Sequence, residues 1–320
     1  MKDNEVMPKS DVKYKKNNKR NNRRKMLFVY NPHSGRGEIG IALSDILWRF
    51  TVSGYDVTVH PTSAPRDGKD YITDNAKDYD IIVSAGGDGM LHELFSGIVA
   101  SGEDITCGYI PSGTVNDFAT SLMISKNPID AAEIIVNGKI KLIDAGVFNG
   151  DIFSYVAAFG LFTGVSYSTD QNMKNALGPL AYLIEALKNM EPGNFLRSSV
   201  HAVIKTEDRE YEGAYIFGYA GNTLSVGGMT NIIPEDAQMN DGLLDCLFIK
   251  TPASIIELDR IRQALMMGRL DIEEIIRFKT NSVEVLTDKP VAWTLDGEYG
   301  GKTDKADIGI RNRVIKITVP

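Results

Sequence analysis

The sequence predicts a two-lobed α/β protein. A first lobe is built on a parallel sheet with helices on both faces, a second is mainly antiparallel β, and a cleft lies between them. Three observations carry this prediction. From Met26 to about Ile143, short apolar runs alternate with segments of helical period, and βαβα alternation implies a parallel sheet covered by helices. Three of those apolar runs stop at polar, glycine-containing loops, which sets the loops along one edge of such a sheet. After Lys139 the pattern changes to paired apolar runs joined by turn residues, beginning with Phe148-Asn149-Gly150-Asp151, a strong hairpin signal.

Taken in order, Met26–Tyr30 is a buried strand, and Ile41, Ile46, Leu47 and Phe50 follow at helical spacing. Asp56–His60 is a short strand, broken by Pro61-Thr62-Ser63-Ala64-Pro65 ahead of a polar helix near Arg66–Ala76. Asp80–Ser84 is the central strand, followed by a helix from Met90 to about Ala100 and a strand over Ile105–Ile110. Ile129–Val136 reads as the helix that leads out of this part. Beyond it, Val200–Lys205 and Tyr211–Tyr219 form a hairpin, and Leu243–Ile249, Asn281–Leu286, Pro290–Leu295 and Arg313–Val319 are further strands. Helical patches cover Ala176–Met190 and about Ala253–Met267. Phe153, Tyr155, Phe159 and Phe162 read as core of the β half.

Composition excludes several classes. Only Cys107 and Cys246 occur, far apart, which leaves neither a disulfide framework nor a cysteine metal cluster and fits a reducing cytosol. No stretch reaches the ~18–20 apolar residues of a membrane span, and the basic start lacks the apolar segment of a secretory leader. Residues 1–25 hold ten Lys and Arg against three acids, a net of +7, which leaves the remainder with 25 basic and 39 acidic residues, a net of −14. The Asn-rich basic tail reads as disordered. It could rest on an anionic membrane surface or serve only as a solvated arm, and the acidic body argues against a nucleic-acid partner.

The chemistry concentrates in five places. Ile81–Ala85 runs into Gly86-Gly87-Asp88-Gly89-Met90-Leu91-His92. A strand, glycine turn and helix aim backbone N–H groups at phosphate, with Asp88 as the carboxylate beside it, for a Mg²⁺ contact or as a proton acceptor. Ile105–Ile110 runs into Pro111-Ser112-Gly113-Thr114-Val115-Asn116-Asp117-Phe118-Ala119, and Met26–Tyr30 into Asn31-Pro32-His33-Ser34-Gly35. Far downstream, Asp296-Gly297-Glu298 is an acidic turn, as is Gln238-Met239-Asn240-Asp241-Gly242-Leu243. The four histidines lack metal-ligand spacing.

Asn31–Gly35, Gly86–Gly89, Pro111–Ala119 and Asp296–Glu298, which follow in this order along the chain, resemble the diacylglycerol kinase catalytic-domain family, which includes sphingosine and ceramide kinases and soluble bacterial lipid kinases. The resemblance implies a nucleotide-binding α/β domain over 26–143, with a chain return near 308–320. It further implies a lipid-binding β-sandwich over 144–307 that carries the Asp-Gly-Glu turn, and a tail over 1–25. It implies ATP contacts from Asn31, Pro32, His33, Ser34, Gly35, Thr62, Gly86, Gly87, Asp88, Gly89, Met90, Leu91, His92 and Thr114. Glu298 would be the proton acceptor, with Asp88 the competing candidate and otherwise the residue positioning Mg²⁺ and nucleotide.

A structural Mg²⁺ is implied at Gln238, Asp241 and the Leu243 carbonyl, linked to the active site by Asp117. The neutral Gln238 weakens that site, and Met90 removes a hydroxyl from the glycine turn. The implied reaction is ATP- and Mg²⁺-dependent phosphorylation of a lipid hydroxyl, by default diacylglycerol to phosphatidate, in phospholipid biosynthesis. The enzyme would be cytoplasmic, reaching its lipid at the inner face of the membrane, and a homodimer is compatible with the chain. Alternatives are an NAD kinase-like enzyme, which shares the glycine turn, and a non-catalytic nucleotide or lipid sensor.

Overall fold

A computed structural model describes residues 23–113, 116–161, 199–223 and 237–320. Thr114, Phe162, the helical patch at Ala176–Met190 and residues 1–22 lie outside these. The first part runs β1 (Arg24–Tyr30), α1 (Glu38–Val52), β2 (Tyr55–Pro61), α2 (Asp67–Asn75), β3 (Ile81–Gly86), α3 (Asp88–Ser101), β4 (Thr106–Pro111), α4 (Asp117–Ser121) and α5 (Pro128–Asn137). β1 pairs with β2 and β3, and β3 with β4, all parallel. Met26 to Val29 and Ile81 to Val83 are buried on both faces of the sheet, as parallel strands under helices must be. Strand β1 starts at Arg24, inside the stretch read as tail. The Lys25 N–H donates to Asp80 at 2.7 Å, and the Arg24 guanidinium lies over the Tyr55 ring.

Helix starts and stops follow local chemistry. The Asn127 side chain accepts from the N–H groups of Ile129 and Asp130, and Pro128 opens α5, where its missing N–H costs nothing. α3 ends at Gly102 in the left-handed region, the usual glycine stop. α2 has no capping side chain of its own. Glu93 on α3 supplies one, accepting from the N–H groups of Arg66 and Lys69.

The second part is antiparallel. It comprises β5 (Lys139–Phe148), β6 (Asp151–Phe153), β7 (Val156–Gly160), β8 (Val200–Lys205), β9 (Glu210–Gly221), β10 (Leu244–Lys250), α6 (Ile255–Met267), β11 (Ile275–Thr280), β12 (Ser282–Leu295) and β13 (Glu298–Val319). Asn149 and Gly150 both take positive φ, which a two-residue hairpin turn requires. Trp293 centres the core here, with Phe159 and Phe148 rings at 4.8 and 4.9 Å.

Two elements differ from the sequence reading. The strands read at Asn281–Leu286 and Pro290–Leu295 are one strand, β12, whose register shifts between Leu286 and Val291 because Pro290 has no N–H to give the ladder. The strand read at Arg313–Val319 is the end of the 22-residue β13, whose earlier, more polar half lacks a continuous apolar run. β13 pairs with β12 and β5, then runs parallel to β4 at Lys316 and Ile317. This strand joins the parallel and antiparallel parts into one hydrogen-bonded sheet.

Candidate active site

Three strand ends bring their loops together. Asn31 Oδ1 accepts the His33 N–H at 2.8 Å, folding the loop after β1 back on itself. Ser34 of that loop accepts from the Ser112 hydroxyl at 2.9 Å, and the Ser112 N–H donates to the Gly86 carbonyl at 2.8 Å. A Cβ on Gly113 would stand 2.9 Å from Gly87 Cα, so glycine is required where the two loops touch. The Tyr109 hydroxyl holds the Gly86 carbonyl from below at 2.8 Å. Asn116 ties off its own loop through the Gly113 N–H and carbonyl. Thr62 lies beside the end of β1, its N–H donating to Tyr30 O at 2.9 Å.

The side chains of this constellation divide by burial. Met90 and Leu91 are core residues, 5% and 0% exposed, so only their backbone can face a ligand. Met90 packs directly against Gly86, where any Cβ would collide with it. Its side chain therefore fills the underside of the turn and takes no place among the groups facing out of it. His33 is exposed.

Asp88 opens α3, and its Oδ1 is buried without a hydrogen-bond partner. Its pKa is raised to about 7, first by burial and then by the neighbouring carboxylates of Asp117, Asp296 and Glu298, with Lys126 opposing. A solitary buried carboxylate oxygen among three other acids has the chemistry of a site that takes a cation. Because Mg²⁺ is held by one or two carboxylates together with substrate phosphates and water, the residues around Asp88 fit that ion.

The acids from the second part arrive on the turn between β12 and β13. Leu295 pairs with Glu298, and Asp296 and Gly297 both take positive φ, an Asp-Gly hairpin turn. Asp296 is 3% exposed and its carboxylate accepts the N–H groups of Ser154, Tyr155 and Val156 at 2.6, 2.9 and 3.1 Å. His92 Nδ1 on α3 lies 3.0 Å from the same carboxylate. Burial pushes the His92 imidazole down, but the Asp296 hydrogen bond and charge carry it above its ordinary pKa. Glu298 is exposed, and its Oε1 lies 4.0 Å from where a Gly89 Cβ would stand. Residues read as separate motifs, at 88–92 and 296–298, thus meet.

Sequence reasoning missed Asp296 as a structural partner and had His92 only as a nucleotide contact. No pattern couples two residues so distant. It also missed Asp144, which is fully buried and accepts the N–H groups of Gly242 and Arg313 at 2.7 and 2.6 Å.

The acidic turn near Asp241 does not fit a divalent cation as the glycine turn does. Gln238 is exposed and neutral, Asp241 Oδ1 is taken by the Leu243 N–H at 3.0 Å, and Asp241 Oδ2 faces the Lys279 ammonium at 3.6 Å. Asp117, read as the link from this turn, is buried at the start of α4.

The chain is similar to known proteins over both of its parts. Residues 25–148 match the diacylglycerol kinase catalytic domain, and residues 156–317 match the YegS C-terminal NAD kinase beta sandwich-like domain. A diacylglycerol kinase of Bacillus subtilis (strain 168) is 34% identical over 276 residues, 85% of this chain and 89% of that protein. A diacylglycerol kinase of Staphylococcus haemolyticus (strain JCSC1435) is 30% identical over 294 residues, 91% of this chain and 87% of its own. Two solved structures from Bacillus anthracis str. Sterne, both titled for a diacylglycerol kinase, superpose with TM-scores of 0.82 and 0.79. They are 24% and 23% identical, and cover 96% and 93% of this chain and 99% and 97% of theirs, a likeness that speaks to the two-domain fold. On the family matches and the identity to its relatives, this chain belongs to the diacylglycerol kinase catalytic-domain family, and is a kinase with an alcohol group as acceptor.

Proposed function

We propose that the chain transfers the γ-phosphoryl group of ATP, with Mg²⁺, to a lipid hydroxyl, and that diacylglycerol is the acceptor and phosphatidate the product. The observation that carries this reading is the buried, partnerless Oδ1 of Asp88 in the glycine turn, close to the turn that bears Glu298. Phosphoryl transfer asks little covalent chemistry of a protein. It asks for held phosphates, neutralised charge and a proton acceptor near the attacking hydroxyl.

The loops at Asn31–Gly35, Gly86–Gly89 and Ser112–Gly113 supply backbone and hydroxyl donors for phosphates, and Thr62 flanks them. Asp88 would hold Mg²⁺, which when bound would draw negative charge from the transferring phosphoryl group. Glu298, exposed beside Gly89, accepts the proton of the lipid hydroxyl as its oxygen bonds to the γ-phosphorus and the bond to the ADP oxygen breaks. Since an alcohol is far weaker an acid than a carboxyl group, that proton moves late, as the phosphorus–oxygen bond forms. His92 and Asp296 hold the two turns together. The lipid would be met at the membrane surface, with the basic residues before β1 attracted to anionic headgroups. Among the described residues no helix is long and apolar enough to cross a membrane.

The test is γ-phosphate transfer from labelled ATP and Mg²⁺ to diacylglycerol, monoacylglycerol, sphingosine, ceramide, phosphatidylglycerol and NAD. Label on diacylglycerol alone supports the reading. Label on a different lipid replaces the acceptor, and label on NAD, which the description of the matched second domain keeps in the panel, overturns the substrate class.

A further inference from the structure

The turn that leads into β10 is held by groups outside the active site. Asp144, buried on β5, fixes the Gly242 N–H, and its own N–H donates to the Met239 carbonyl at 2.8 Å. Asn222 donates to the Asp144 carbonyl at 3.1 Å. These bonds set the backbone of the turn, and among the described residues two carboxylates, Asp241 and Asp245, lie on its flank. Asp241 ends the turn, and Asp245 lies on β10 directly opposite Lys279 of β11 in the antiparallel register. Lys279 Nζ stands 3.6 Å from Asp241 Oδ2 and 3.7 Å from Asp245 Oδ1. The side chains of Asp241 and Lys279 are each 21% exposed, and that of Asp245 8%, so water and salt screen the three charges less than at an open surface.

We propose that the Lys279 ammonium, set between Asp241 and Asp245, is the built-in cation of this turn and takes over the charge balance that a divalent metal at the turn would otherwise supply. An ammonium carries three donors and no acceptor, so it can bridge two carboxylates, whereas a metal ion placed beside it would meet like charge. Gln238 is consistent with this. With Lys279 set against Asp241 and Asp245, the neutral Gln238 adds no further negative charge for a metal ion to balance. The register places the lysine beside the two carboxylates without any metal, because the β10–β11 ladder delivers it whenever the sheet forms. Divalent metal is then required by the nucleotide turn alone, and the segment 239–245 keeps its conformation in chelator.

The experiment is thermal unfolding of the full chain without nucleotide, in Mg²⁺ and in EDTA. An Asp88→Asn background removes the nucleotide-turn carboxylate from the readout. The expected result is the same Tm in both media, a fall of roughly 2–6 °C for Lys279→Met, and recovery of most of it in Lys279→Arg. Lys279→Met combined with Gln238→Glu should gain a Tm that rises with Mg²⁺. A Mg²⁺-dependent rise in the Asp88→Asn chain that Asp241→Asn abolishes would overturn the proposal, as would a Lys279→Met chain with an unchanged Tm. Should Lys279→Met not fold, calorimetric titration of the Asp88→Asn chain with Mg²⁺ decides. Binding heat lost on Asp241→Asn counts against the lysine, and no binding heat counts for it.

Discussion

His92 Nδ1 and the carboxylate of Asp296 meet at 3.0 Å although 204 residues separate them in sequence. The contact ties the helix that opens at Asp88 to the turn that carries Glu298. Since Asp296 also accepts three backbone N–H groups before and along β7, one buried carboxylate sets the geometry between two pieces of the site.

Removing that carboxylate should therefore cost more than removing its ring partner. Asp296→Ala leaves three buried N–H groups unpaired, at about 1–3 kcal/mol each before relaxation, and is expected to lose at least ~3 kcal/mol in urea unfolding. His92→Leu leaves those N–H bonds intact and should cost about 1–2 kcal/mol while lowering turnover. Equal losses in the two variants would remove Asp296 from this organising role.

Glu298→Gln keeps the size of the side chain and its place on an exposed turn. Nucleotide affinity should hold, and kcat should fall by roughly 10²–10⁴-fold. Unchanged turnover with the lipid acceptor would show that another group takes the proton.

Asp88 makes a prediction about pH as well as rate. Its folded pKa, raised from the ordinary aspartate range to about 7, means the folded chain binds the proton more tightly than the unfolded one. Its contribution to stability is present below the unfolded value and lost as pH rises through about 7. In the absence of metal and nucleotide, Asp88→Asn should accordingly be as stable as wild type or more so at pH 8, and nearly inactive. It should also lose the steep rise in Mg²⁺ affinity expected between about pH 6 and 8, where metal and proton compete for wild-type Asp88. Calorimetric scans at both ends of that window, with Mg²⁺ titrations, check the sign.

Two of the three glycines of one turn, Gly86 and Gly89, should separate folding from catalysis. A Cβ at Gly86 collides with Met90, so Gly86→Ala should lose about 1–3 kcal/mol of stability by overpacking. A Cβ at Gly89 meets nothing closer than Glu298 Oε1 at 4.0 Å, so Gly89→Ala should fold normally and lose turnover, because the methyl group fills the gap between the two turns. Tm and kcat measured on both variants distinguish the roles.

Truncation tests the tail. Because Arg24 and Lys25 belong to β1 and Lys25 bonds Asp80, the cut belongs after residue 22. The shortened chain should keep its Tm and bind anionic vesicles less, with the difference vanishing at high salt. Equal vesicle binding by the two chains would leave the tail a spacer.

The sequence alone determined the local elements. Apolar runs such as Ile81–Val83 and glycine turns such as Gly86–Gly89 declare themselves because strand period and positive φ are written in neighbouring residues. It determined the family as well, since four motifs in order fix a lineage more firmly than any one fixes a role. Where a signal was diluted the reading stopped short, as with the polar first half of β13 and the proline-interrupted β12. Tertiary structure decided what long-range contact decides. It set His92 against Asp296, Glu298 beside Gly89, and Lys279 between Asp241 and Asp245. It also drove Asp88 toward neutrality, because burial and the sum of neighbouring charges exist only once distant strands have brought those carboxylates together.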